Sequence, residues 1–252
     1  MGKISIIIPT YNRKAKIIRA IDSVLSQTVK PYEILICDDG SDDGTEMLVR
    51  QIRNTRIKWV PGKHTGLPAV PRNRGVQLAK GDWIAFLDSD DWWKEDKLEK
   101  QLIFAKQNKL LAMCSNAFLI RKQNNFGKLL NFSKNVIAFT DLLDTNFVIC
   151  SSAIIHRSLF KKCEGFPEDP SLKAIEDYAL WLRIATQTYF GYVREPLVYY
   201  NDDIHSVRTK GPQTLIEQKE IVYNNFLLWI KHKNNLTNYR KKVDTALSYL
   251  YP

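Results

Sequence analysis

Apolar residues along the first ninety positions follow two alternating rhythms. KISIII (3–8), YEILIC (32–37), IKWV (57–60) and DWIAFLD (82–88) are short, nearly unbroken apolar runs that read as strands. Between them, residues 14–27 carry Ile17, Ile18, Ile21, Val24 and Leu25 at helical spacing. Residues 46–53 and 71–81 read as two more helices, the second with Pro71 near its start and Gly81 past its end. This alternation predicts an α/β fold with a mostly parallel sheet and helices on both faces. Continuous apolar strands fit burial on both sides.

The second half is less regular. Residues 110–120 read as a strand, 126–132 as a turn and short strand, and 150–160 as a strand running into a helix. AIEDYALWLRIA (174–185) predicts a strongly amphipathic helix, and residues 189–200 supply one or two strands. A polar loop, NDDIHSVRTKG (201–211), leads into a helical tail. No internal repeat and no low-complexity linker interrupts the chain.

In a parallel sheet, ligands bind beyond the carboxyl ends of the strands. Three polar loops fall there: PTYN (9–12), DDGSDDG (38–44) and DSDD (88–91). One acidic loop is ordinarily a solvated turn. Three on one edge point to a binding site.

The 252 residues, 44% hydrophobic and 25% charged, suit one large domain or a domain with an appendage. No apolar run is long enough for a transmembrane helix. The first residues read as a strand rather than a signal peptide, which leads to an expected place in the cytoplasm. Net charge is +10. No zinc-finger, basic-zipper or RNA-recognition motif accompanies it, so no nucleic-acid partner is expected. Cys37, Cys114 and Cys150 sit in apolar surroundings as core thiols, no Cys-x-x-Cys pair occurs, and the four histidines lack zinc-ligand spacing.

Asp88, Asp90 and Asp91 follow a buried strand within one turn of chain, where like charges resist ionising together. A divalent cation, Mg²⁺ or Mn²⁺, resolves that repulsion, and such hard cations pair carboxylate with phosphate oxygens. A phosphohydrolase of the haloacid dehalogenase type also places Asp-x-Asp after an apolar strand. There the motif follows the first strand and is trailed by Thr or Val. A nicotinamide dehydrogenase lacks its main support, because no Gly-x-Gly-x-x-Gly follows the first strand.

SIIIPTYN, EILICDDGSDDGT, RNRGVQLAKGDWIAFLDSDD, GFPED and EDYALWLRIA occur in the order and spacing of the family 2 glycosyltransferases, which the chain resembles over residues 3 to 210. The resemblance implies a GT-A fold: a Rossmann-like nucleotide-binding half (1–91), an acceptor-binding half (92–210), and a helical extension (211–252) outside it. It implies an inverting, metal-dependent hexosyltransferase. The donor would be a nucleotide sugar, most naturally a UDP-sugar. The acceptor would be a glycan or lipid-linked glycan in the synthesis of lipopolysaccharide, capsule or another surface polysaccharide.

Carried over residue by residue, Pro9, Thr10, Tyr11, Asp38 and Asp39 would clasp the nucleoside, with Arg72, Asp88 and Ser89 beside the nucleotide. The family more often has alanine where Pro71 stands. Asp90, with Asp88 directly or through water, would hold the metal, joined by His205. Arg208 would meet the diphosphate. Asp177 would be the general base, and Glu176 would contact acceptor hydroxyls or assist it. Without the resemblance, Glu176 and Asp177 also read as acids favouring a helix N-terminus.

Trp93 and Trp181 read either as core or as platforms for the acceptor sugar, and Ser151 and Ser152 are candidate acceptor contacts. Residues 220–243 mix apolar side chains with Lys231, Lys233, Arg240, Lys241 and Lys242. That stretch reads as a helix packed on the catalytic domain or a partner, or as a peripheral contact with anionic membrane at the inner face of the cell. A homodimer is a further partner expectation. A non-enzymatic alternative, a catalytically dead nucleotide-binding subunit, predicts UDP binding without turnover.

Overall fold

The computed structural model describes residues 2–122, 124–202 and 214–250. The first half follows the alternation expected of it: β1 (Ile4–Thr10), α1 (Ile17–Leu25), β2 (Glu33–Asp38), α2 (Thr45–Arg50), β3 (Ile57–Val60), α3 (Ala69–Leu78) and β4 (Trp83–Phe86). Two boundaries move for local reasons. α1 starts three residues late, because Thr45 Oγ1 and Asp43 Oδ2 accept the Arg13 and Lys14 N–H groups and hold that segment as a turn. α3 starts two residues early and carries Pro71 as its third residue. A first-turn N–H has no intrahelical acceptor, so proline is tolerated there.

The second half contributes β5 (Trp92–Trp93), α4 (Lys97–Asn108), β6 (Ala112–Arg121), β7 (Asn124–Lys128), β8 (Val136–Ile137) and α5 (Phe139–Asp144). After these come β9 (Ile154–His156), α6 (Arg157–Lys162), α7 (Glu176–Ala185), β10 (Phe190–Asn201), α8 (Leu215–Trp229) and α9 (Thr237–Ser248). α4 is left unassigned by the pattern read above, although Leu98, Leu102 and Ala105 mark its buried face. α7 begins two residues later than predicted, since Ala174 is held at φ +71 and cannot be helical. β10 is one strand, with register shifts around Pro196.

The sheet runs β3-β2-β1-β4-β9-β6-β10-β5, with β7 beside β6 and β8 beside β10. β3, β2, β1 and β4 are parallel neighbours. β9 runs antiparallel to both β4 and β6, β10 is parallel to β6, and β5 returns antiparallel to β10. The mostly parallel sheet thus extends through β6 and β10 of the second half, and only the short β5, β7, β8 and β9 run antiparallel to their neighbours.

Alternation along β1 shows how both faces are buried. Ile4, Ile6 and Ile8 join α1 and α4 on one side, while Ile7 joins α3 and α7 on the other. Val222, Tyr223, Phe226, Ile230 and Val243 of the tail belong to the second of these cores. The Tyr223 hydroxyl donates to the Leu143 carbonyl, and Arg183 of α7 lies over the Trp229 ring. The tail helices are therefore packed against α5 and α7. All four cysteines are free and buried. Among the described residues, no helix is long and apolar enough to cross a membrane.

Candidate active site

The parallel order brings the carboxyl ends of β1, β2, β3 and β4 to one sheet edge. A cleft of about 920 Å³ opens beyond them, and the start of α7 also lines it. Pro9 and Thr10 close β1, and Tyr11 follows at the cleft. Pro9 falls after the last β1–β4 pair, Ile7 with Phe86, where its missing N–H interrupts no ladder on that side. Thr10 Oγ1 is buried and has no partner among the described residues.

Reciprocal hydrogen bonds zip the first two loops together. Asn12 Nδ2 donates to Asp42 Oδ1 (2.9 Å), the Asp42 N–H donates to Asn12 Oδ1 (3.0 Å), and the Asn12 N–H donates to Ser41 Oγ (2.9 Å). Asp38 does not line the cleft. Its carboxylate accepts from the Gly40 and Ser41 N–H groups and from Ser41 Oγ, closing the turn. Asp39 does line the cleft, and its carboxylate accepts from the Thr65 and Gly66 N–H groups and from Thr65 Oγ1. That pins the loop after β3.

The pinned loop carries His64, a residue the sequence pattern did not single out. Its ring stacks on Tyr11 with centroids 4.0 Å apart, and its Nδ1 lies 3.1 Å from Asp39 Oδ2. Tyr11 is 40% exposed, so the pair forms an accessible aromatic wall. The signal was available: β3 ends on the same sheet edge as β1 and β2, so the loop after it belongs to the binding edge.

Arg72 of α3 joins the two sides of the site. Its Nη2 donates to Asp88 Oδ1 (2.7 Å) and its Nη1 to Glu176 Oε1 (2.5 Å). Burial works against the guanidinium charge, yet Asp88 and Glu176 outweigh it and hold the pKa above its ordinary value. Glu176 Oε2 remains buried without a partner among the described residues. Asp177 lines the cleft from the first turn of α7, with the Tyr178 N–H donating to its Oδ1 (2.7 Å). Burial, then the Glu176 charge, push its pKa up to about 7.

Asp90 is largely buried, and its pKa is raised by that burial and by Asp88. Its ion pair with Arg13 is 3.9 Å long. Ser89 lines the same loop. No three His, Cys, Asp or Glu side chains among the described residues converge on a metal position. Asp88 and Asp90 offer hard oxygen donors at the cleft, Asp88 bonded to Arg72 and Asp90 held 3.9 Å from Arg13. They fit a divalent cation completed by ligand oxygens better than one enclosed by protein alone. His205 and Arg208 lie outside the described residues.

Of the two readings of Trp93 and Trp181, core holds for both. Trp181 is fully buried among Phe86, Phe166 and Phe190. Trp93 is 3% exposed, donates from Nε1 to the Ser151 carbonyl (2.7 Å) and lies under Lys97. Neither ring is free to stack on a sugar. Ser151 and Ser152 are likewise buried and engaged inside the protein.

The family model described as "Glycosyl transferase family 2" matches residues 5–164. The chain is 36% identical over 181 residues to the UDP-Glc:alpha-D-GlcNAc-diphosphoundecaprenol beta-1,3-glucosyltransferase WfgD of Escherichia coli, covering 72% of this chain and 69% of that protein. It is 38% identical over 199 residues to an uncharacterized glycosyltransferase of Rickettsia conorii, and spans 32% of that longer protein. Among solved structures, S. aureus TarS 1-349 in complex with UDP superposes with a TM-score of 0.73 at 20% identity, over 98% of this chain and 70% of that one. The mannosyltransferase PcManGT of Pyrobaculum calidifontis, in complex with GDP-Man and Mn²⁺, gives 0.68 at 19% identity, over 99% and 70%. At these identities the two structures speak for the fold.

Proposed function

The chain belongs to glycosyl transferase family 2 and is a glycosyltransferase of GT-A fold, and from that premise we propose that it moves a sugar from a UDP-sugar to a hydroxyl of a surface-glycan acceptor with inversion. The observation that carries this reading is that Asp177 lines the same cleft as Asp88 and Asp90. A carboxyl with a pKa of about 7 is half ionised near neutrality and suits proton abstraction from a hydroxyl.

In the proposed step Asp177 takes the acceptor O–H proton. The oxygen attacks the anomeric carbon as the bond to the diphosphate breaks, and the nucleoside diphosphate leaves with the electron pair. A single displacement inverts the anomeric centre. Tyr11 and His64 offer an aromatic wall to the base, while the orphaned Glu176 Oε2 can accept from an acceptor hydroxyl. Asp88 and Asp90 would hold a divalent cation together with the diphosphate oxygens. Such a cation neutralises the charge that develops on the leaving group.

Family membership sets aside the phosphohydrolase alternative. The diphosphoundecaprenol-linked acceptor in the name of the Escherichia coli relative supports a lipid-linked glycan as the acceptor class. A panel of UDP-sugars with a GlcNAc-diphospholipid acceptor, read by mass spectrometry, tests the proposal. Transfer by the wild type, lowered about 10²–10⁴-fold in Asp177→Asn, supports it. Release of free phosphate or sugar without transfer to any acceptor would overturn it.

A further inference from the structure

Of the three acids in the loop after β4, Asp91 differs from its neighbours. It is 2% exposed, and both its oxygens are taken. Ser151 Oγ donates to Asp91 Oδ2 (2.5 Å), and the Asn201 N–H at the end of β10 donates to Oδ1 (2.8 Å). Ser151 has a second task, because its Oγ accepts the Asp88 N–H (3.1 Å). The Asp91 N–H donates to the Asp88 carbonyl (3.0 Å), and Arg19 Nη2 donates to the Asp90 carbonyl (3.2 Å). Three segments, separated by 60 and 110 positions along the chain, therefore meet on one carboxylate.

We propose that Asp91 and Ser151 act as one positioning unit that fixes the spacing of the Asp88 and Asp90 carboxylates, and through it the affinity for a divalent cation. The inference rests on the reading of Asp88 and Asp90 as the cation's protein ligands. With both oxygens accepting from protein donors, Asp91 serves the cation through the backbone it holds and not by ligation. Ser151 is the shared joint: its oxygen connects the Asp91 carboxylate to the backbone nitrogen of Asp88. Removing that oxygen leaves a buried N–H and a buried carboxylate oxygen without partners. Replacing Asp91 by asparagine turns one acceptor into a donor, so Ser151 and Asn201 cannot both keep their present bonds.

Outer residues that orient metal ligands change metal affinity by about 10–100-fold when altered. The test is a titration of Mn²⁺ in the presence of UDP, with free Mn²⁺ counted by electron paramagnetic resonance. It compares wild type, Ser151→Ala, Asp91→Asn, the double variant and Asp90→Asn. UDP affinity without metal and the thermal midpoint are measured alongside. Each single variant is expected to bind Mn²⁺ about tenfold or more weakly while metal-free UDP binding stays unchanged. The double variant should lose no more than the worse single one.

Folded variants with wild-type Mn²⁺ affinity would overturn the proposal, and so would additive losses in the double variant. Asp91→Asn, nearly isosteric, carries the test if Ser151→Ala does not fold. If the wild type itself shows no metal-dependent UDP binding, the reading of Asp88 and Asp90 fails, which is a different result from wild-type binding that these variants leave untouched.

Discussion

Arg72 Nη2 sits 2.7 Å from Asp88 Oδ1, and the other arm of the same guanidinium reaches Glu176. One buried cation therefore ties the loop after β4 to the start of α7, linking the donor-side acids to the wall that carries Asp177. Replacing Arg72 with methionine keeps the bulk and leaves two carboxylates uncompensated. Breaking a buried pair in this way costs about 3–5 kcal/mol. Urea denaturation should show that loss. A methionine variant as stable as the wild type would mean the bridge is not formed in solution.

Asp177→Asn should lower transfer by about 10²–10⁴-fold, the usual size of a general-base contribution. UDP binding should survive, because Asp177 is not among the residues proposed to hold the nucleoside. Calorimetric titration of UDP beside the transfer assay separates the two effects. Equal loss of both would point to a misfolded cleft.

The pH dependence has a definite sign. Asp177 is raised to about 7 by burial and by Glu176. Below that value it holds its proton and cannot act as base, so the rate should fall as pH drops through about 7. Glu176→Gln removes the like charge and should move the acid limb to lower pH. In stability the sign reverses. A carboxyl raised in the folded state binds more protons folded than unfolded between its ordinary range and about 7. Its contribution therefore favours the fold at low pH and is lost as pH rises through that window. A rate profile from pH 5 to 9 on both proteins checks the catalytic part.

α3 lies close against the sheet at Gly75, where an added Cβ would come within 2.5 Å of Cys37 Sγ and 2.8 Å of Ile7 Cγ2. Gly75→Ala should destabilise the protein by about 1–3 kcal/mol through overpacking. α3 carries Arg72, so the same variant should weaken transfer. Thermal melts and the transfer assay read both, and an unchanged melt would contradict the close approach.

Phe226 of α8 is buried against Phe139 and Trp229. Phe226→Ala should cost about 3–5 kcal/mol, as for other core aromatics. A loss below about 1 kcal/mol would mean that α8 is dispensable to the core. The denaturant midpoint, with the slope held constant, gives the value.

The sequence by itself determined the strand–helix alternation, the sheet edge that carries the polar loops, and the family. These follow from local periodicity and from short motifs whose residues are neighbours in the chain. It did not separate the acids by task. Asp38 and Asp91 look like Asp39 and Asp90 in the sequence, yet Asp38 closes its own turn, Asp39 pins the loop after β3, Asp91 holds Ser151 and the end of β10, and Asp90 stands in the cleft 3.9 Å from Arg13. Asp91 finds its donors at Ser151 and Asn201, far along the chain. The loop after β3 was legible as part of the binding edge, but the stacking of His64 on Tyr11 was not, and Trp181 stayed open between core and cleft. Folding decided these cases, because a side chain's role is fixed by which distant groups desolvate it and use its hydrogen-bonding atoms.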